Sequence, residues 1–174
     1  MAETRAERFL QQAAAVGFDA NDEIRVGGNY QAVIRDGNYL YVSGQVPRIG
    51  SEVVVKGAVG GEVDLATAQR AARIAVLRCL ALLRRELGSL DQIARMLTMT
   101  VYVRSAAGFT QQSEVADAAS ELLLQVMGDV GRHARTSVGV AELPKGAAVE
   151  IALQARAESL CCAGNEKAQS CDWA

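Results

Sequence analysis

The sequence predicts an α+β fold, one mainly mixed sheet with two helices on one face. Three observations predict it. Alternating, turn-bounded runs lie near both ends of the chain, Tyr30 to Gln45 and Ala134 to Arg156. Between them are two segments whose apolar residues recur at steps of three and four. A further alternating run, Arg95 to Arg104, separates those two segments. The element order is therefore β-β-(β)-α-β-α-β-β. Too few elements remain to cover the sheet face away from the helices, so the pattern predicts an oligomer.

Taken in order, residues 4 to 16 suit a short amphipathic helix with Phe9, Leu10, Ala13 and Ala14 on one face, stopped by Gly17. Tyr30 to Arg35 and Tyr39 to Gln45 read as strands around Asp36-Gly37-Asn38, since an Asp-Gly pair between β-formers favours a tight hairpin. Val53 to Val55 reads as a short third strand. Asp64 can cap the next helix by accepting from its free N–H groups. Leu65, Ala68, Ala72, Val76, Cys79, Leu83 and Leu87 form that helix's stripe, and Gly88 ends it. In the strand Arg95 to Arg104, alternation sends Leu97, Met99, Val101 and Val103 one way and Thr98, Thr100 and Tyr102 the other. Thr110 to Met127 is the second long helix, with Val115, Ala119, Leu122 and Val126 inward. Strands Ala134 to Glu142 and Ala147 to Arg156 follow, joined by Leu143-Pro144-Lys145-Gly146 and read as a hairpin pairing Glu142 with Ala147. Three segments result: an N-terminal helical extension over 1–24, a domain over 25–157, and a polar tail over 158–174.

Composition narrows the function. The chain has 174 residues, half of them hydrophobic, and a formal net charge of −2. That balance offers no electrostatic footprint for nucleic acid. No stretch has transmembrane length, because Arg73 and Arg78 interrupt the most apolar segment, Ala71 to Leu83. The first residues lack an apolar leader core, which predicts a cytoplasmic protein. Cys79 reads as a small core hydrophobe, and Cys161, Cys162 and Cys171 match no metal or disulfide spacing. His133 is the sole histidine, which excludes His-dependent triads and multi-His metal sites, and it reads as a loop residue bonded to backbone.

The informative stretch is Arg135 to Glu150. Alternation places Arg135, Ser137, Gly139 and Ala141 on one face of their strand. With the hairpin register above, Gly139 faces Glu150 on that same side. An Arg and a Glu then share a sheet face lined by small residues, about 13 Å apart along the strand and too far to pair directly. Such charges need a ligand or a partner across a subunit boundary.

These residues resemble the YjgF/Rid family, reactive-intermediate deaminases once called L-PSP endoribonucleases. The likeness is carried by Arg135, Leu143-Pro144-Lys145-Gly146 and Glu150, and by Tyr30 with Tyr41-Val42-Ser43-Gly44-Gln45-Val46-Pro47. It spans about residues 25 to 157 and looks like a longer branch of the family. The resemblance implies a fold like Bacillus chorismate mutase, with three chains closing their sheets into a barrel and three clefts between subunits. It implies hydrolysis of 2-imino and 2-aminoacrylate acids to 2-keto acids and ammonia, with no cofactor and no metal, since an iminium carbon is already electrophilic. Arg135 matches the residue holding the substrate carboxylate, a role for a bidentate fork. Glu150 matches the base that orients and deprotonates water. Tyr30 and Ser43 match the cleft lining, and the Gly44 N–H a donor to the ligand. Ser137, counted with the substrate-binding residues, stands where many relatives have Cys, and Ala152 where they have a second Glu.

Two other readings stand beside the deaminase. One is an endoribonuclease, opposed by the acidic charge and the lack of a basic, aromatic stacking surface. The other is a non-catalytic trimer that binds small carboxylates; Glu150 alongside Arg135 favours catalysis over it.

Overall fold

A computed structural model describes residues 3–159. Helix α1, Arg5–Val16, opens with a capping box in which Thr4 and Glu7 bond each other's backbone N–H, and closes at Gly17 in the left-handed conformation. Its buried lane is Phe9 and Ala13, four residues apart. Leu10 is exposed instead, as is Ala14, because each lies a further 100° around the helix from that lane. Two arginines fasten the helix. Arg5 donates to the carbonyls of Leu90 and Ile93, each at 3.0 Å, and Arg8 to that of Val126 at 2.9 Å.

Strands β1, Val33–Asp36, and β2, Tyr39–Gln45, form the expected hairpin. Tyr30 and Ala32 precede β1 instead of belonging to it. The third strand is also different. Arg48–Ile49, β3, and Glu52–Val53, β4, turn back on each other at Gly50 as a separate two-stranded ribbon, with Val54 half exposed beyond it. Asp64 caps helix α2, Leu65–Leu87, by accepting from the Thr67 N–H at 2.7 Å. α2 is buried on nearly all sides, because it lies between the sheet and the helices α1 and α3, the latter spanning Gln112–Met127.

The main sheet also contains β5, Ile93–Arg104, β6, Ala134–Val140, and β7, Val149–Ala157. Its order is β1-β2-β7-β5-β6, with β5 and β6 parallel and every other pair antiparallel. The fold is therefore α+β with a mixed sheet, and it carries three helices on one face. The expected C-terminal hairpin does not form: β5 lies between β6 and β7. The crossover β5–α3–β6 makes β6 a parallel edge strand, so the chain must pass over the end of β5 to reach β7. The segment at Leu143–Ala148 makes that passage. Lys145 and Gly146 have positive φ, Gly146 accepts from the Gly57 N–H, and Ala148 donates to Val55. Backbone groups a hairpin would pair internally are used by residues 55–57 instead.

Ile93, Met96, Met99, Val101 and Val103 of β5 face the helices, as do Leu40 and Val42 of β2 and Ile151, Leu153 and Ala155 of β7. Leu97 is not among them. The register with β7 shifts between Met96 and Thr98, a bulge that inserts one residue and hands the core position to Met96. Among the described residues no helix covers the opposite face. It presents Ile34 and Tyr41, which are 50% and 43% exposed, with Thr100, Tyr102 and Val138 beside them. No helix among the described residues is long and apolar enough to cross a membrane. Cys79 is fully buried against α2's neighbours, as expected; burial pushes its thiol up, and its Sγ lies 3.5 Å from the Ile151 carbonyl. Cys161, Cys162 and Cys171 lie outside the described residues.

Candidate functional site

The site is built on an irregularity of β2. Pairing with β7 jumps from Val42 opposite Leu153 to Gln45 opposite Ile151, so Ser43 and Gly44 together oppose Ala152. A bulge of this kind re-aims side chains and frees backbone groups. Val42 and Gln45 both point into the core, which turns Ser43 and Gly44 outward. Gln45 is buried, and its Nε2 donates to the carbonyls of Ser43 and Gly44, each at 3.1 Å, bracing the bulge from beneath. Ser43 donates through both its N–H and its hydroxyl to the Ala32 carbonyl, at 3.0 and 3.2 Å. The Tyr30–Ala32 segment is thereby held against the bulge.

Glu150 is the next open-face residue along β7, paired with Tyr102 of β5. Its carboxylate lies where a Cβ at Gly44 would be. Only glycine leaves that room, which is the reason for glycine here; no unusual φ is involved. Glu150 is half-buried and has no ion pair among the described residues, and burial raises its carboxyl above the usual carboxylate range. A cavity of about 280 Å³ brings together Tyr30, Ser43, Gly44, Arg48, Arg78 and Glu150. A more open hollow of about 340 Å³, between Ala20–Ile24 and the end of α2, lacks Glu150 and holds ordinary surface charges.

Four of the residues singled out from the sequence thus converge: Tyr30, Ser43, Gly44 and Glu150. Arg135 and Ser137 do not join them within one protomer. They pair with Met99 and Val101 of β5, whose side chains face the helices, whereas Glu150 pairs with Tyr102 on the other face. Gly139 pairs with Val103 and does not face Glu150. The sequence-based register failed because β5 intervenes, and a single residue of offset reverses the face. Arg135 instead meets α3, donating to the Asp117 carboxylate at 2.7 Å and the Ser120 hydroxyl at 3.1 Å. The Ser137 hydroxyl is 3.5 Å from that of Ser113. His133 Nδ1 donates to the Gly131 carbonyl at 2.7 Å, which leaves Nε2 to accept from Ser120 at 3.2 Å. The expected backbone-bonded loop histidine is what the fold contains.

Sequence reasoning missed Arg48 and Arg78. Arg78 was visible as a charge inside the apolar run of α2, but so was Arg73. Only the structure separates them: Arg73 reaches Glu121 at 3.1 Å, while Arg78 points into the cavity wall.

An α+β sheet with one uncovered face and a carboxylate set over a glycine bulge defines the class of protein. The family model described as Endoribonuclease L-PSP matches residues 20–157. This chain belongs to that family, the YjgF/Rid family. Protein TCP17 of Trypanosoma cruzi is 43% identical over 124 residues, covering 71% of this chain and 78% of that protein. A crystal structure of an Agrobacterium tumefaciens protein of unknown function superposes with a TM-score of 0.79 at 37% identity, covering 88% of this chain and 95% of that one. A Yersinia pestis member of the Rid family shares the fold at 21% identity with a TM-score of 0.55, covering 79% of this chain and 94% of that one.

Proposed function

We propose that this chain hydrolyses 2-imino acids, and the enamine acids in equilibrium with them, to 2-keto acids and ammonia. The observation that carries the reading is Glu150, a half-buried carboxylate with no cationic partner among the described residues, set over the Ser43–Gly44 bulge in the lining of a cavity. A raised pKa brings a carboxylate closer to the basicity that proton transfer from water needs at neutral pH. Glu150 accepts a proton from water as the water oxygen bonds to the iminium carbon. Glu150 returns that proton to the nitrogen of the adduct, the C–N bond breaks to release ammonia, and the hydroxyl gives its proton back to the Glu150 carboxylate as the carbonyl forms. The Gly44 N–H and Ser43 line the path of the polar groups, and Tyr30 closes the outer side.

In this reading three copies close their uncovered faces into a barrel, consistent with the apolar side chains exposed there. Arg135 then belongs to the neighbouring copy. The β6 edge crosses the boundary, and Arg135 exchanges Asp117 for the substrate carboxylate. RNA cleavage, the activity in the family's description, is opposed by the net charge of −2.

The test is ammonia release from 2-aminoacrylate generated in place. Glu150→Gln is expected to slow hydrolysis by about 10²–10⁴-fold, the usual worth of a general base. Equal rates in variant and wild type would remove Glu150 from the chemistry, and a wild-type rate equal to buffer would remove the activity.

A further inference from the structure

Arg78 and Gln45 are the only polar or charged residues buried among the described residues. Gln45 is satisfied by the bulge carbonyls. Arg78, 4% exposed, is not. Its Nη1 makes one long bond, 3.4 Å to the Arg48 carbonyl, and its Nε has no partner. No carboxylate comes within ion-pair distance of it among the described residues. Beside it the Arg48 Nε is likewise shielded from solvent and unpartnered. A buried guanidinium cannot shed its charge as a lysine can, so it needs an anion. Here the buried one lies beside the half-buried Arg48, and both line the cavity that holds Glu150.

Other charges do not relieve this. Burial works against the Arg78 charge without removing it, the neighbouring Arg48 adds to that cost, and Cys79 and Asp22 offset part of it. The Asp22 carboxylate is directed to the Gly50 N–H, at 2.8 Å. Lys145 adds another cation to the wall, and Arg25, also in the wall, is taken by Glu23 at 3.0 Å. The cavity therefore has a carboxylate pole at Glu150 and a cationic pole at Arg48 and Arg78, with no ion pair joining them. At about 280 Å³ it is at the small end of ligand cavities, which suits a compact organic acid.

We propose that Arg78 and Arg48 form a second anion-binding pole, and that the substrates of this chain are 2-imino acids whose side chain carries its own carboxylate. The inference rests on the deaminase reading above. There the α-carboxylate is held by Arg135 of a neighbouring copy, so the pole built within the protomer is left for the side-chain anion. The side-chain carboxylate is held by the guanidinium groups of Arg78 and Arg48 where they line the cavity.

The experiment compares two stable product analogues by calorimetry on the full chain, 2-oxoglutarate with two carboxylates and 2-oxobutanoate with one. Wild type is expected to bind the dicarboxylate at least about tenfold more tightly, which corresponds to about 1.4 kcal/mol. Arg78→Met is expected to reduce that ratio to about one, and Arg78→Lys to restore only part of it, because an ammonium lacks the fork. Arg48→Met is the second variant, expected to reduce the ratio in the same direction, and decides the matter if Arg78→Met does not fold by circular dichroism. Equal affinities in wild type, or a preference that survives in the folded variant, overturn the proposal. Imine turnover by wild type is measured separately. Preference without turnover retains the pole and rejects the deaminase, and turnover without preference does the reverse.

Discussion

Two regions of the molecule, the β6 edge of the sheet and the middle of α2, treat their arginines in opposite ways. At the β6 edge, Arg135 has a carboxylate at 2.7 Å and a hydroxyl at 3.1 Å, and that hydroxyl in turn serves His133. On α2, Arg78 has a single carbonyl among the described residues, that of Arg48 at 3.4 Å. A charge satisfied by its own protomer holds secondary structure together, here β6 against α3. A charge left unsatisfied in a closed space is held ready for something that arrives later. The sequence motif pointed to the first arginine, and the geometry of one protomer points to the second.

The largest effect that can break this comparison is at the bulge. Gly44→Ala is expected to push the Glu150 carboxylate out of place while costing little stability, because the clash falls on the end of a flexible side chain. Misplacing a reacting group by an ångström costs about 10²-fold in rate. Full activity in Gly44→Ala, measured as ammonia release, would show that Glu150 works from another position.

Arg135→Ala tests the β6 edge. The protomer is expected to lose no more than about 1 kcal/mol in chemical denaturation, since the Asp117 partner is half exposed. Keto-acid affinity is expected to fall by about 30-fold or more, the usual loss when a buried charge pair at an interface is truncated. Unchanged affinity would sharpen the contrast by confining Arg135 to the β6–α3 contact.

The smallest effect is in the pH dependence of stability. Burial raises the Glu150 pKa in the folded chain, so the folded state binds its proton more tightly than the unfolded state does. Stability is then lost as pH rises from the ordinary carboxylate value through the raised one. Glu150→Gln is expected to melt with wild type at acid pH and above it at neutral pH. Thermal melts across that range showing a constant difference would mean that Glu150 is fully solvated.

Most elements could be read from the sequence because they depend on local chemistry. Asp64, Gly88, the Asp36–Asn38 turn and the stripe of α2 each carry their own cause. The motif residues of the site were readable too, down to Gly44. The face of Arg135 was not, because it depends on which strand lies next to β6, and no residue between 134 and 150 records that β5 intervenes. Arg78 was hidden for a similar reason. Its neighbours Leu77, Cys79 and Leu80 mark it as lying in an apolar helix, but whether its guanidinium meets a carboxylate is settled by distant chain.

Helix α1 has a consequence for the order in which the molecule is made. It is made before the segments it docks on: Arg5 bonds to carbonyls 85 and 88 residues later in the chain, and Arg8 to one 118 residues later. Phe9 likewise enters a core contributed by later segments. With a helix of 12 residues, α1 has little stability in isolation. The helix is therefore placed late although it is made before its partners, and its docking waits on α2, the start of β5 and the end of α3. In the finished protein the same arrangement makes α1 a clasp, whose amides are expected to exchange with solvent sooner than those of α2 and whose release uncovers the core before the sheet opens.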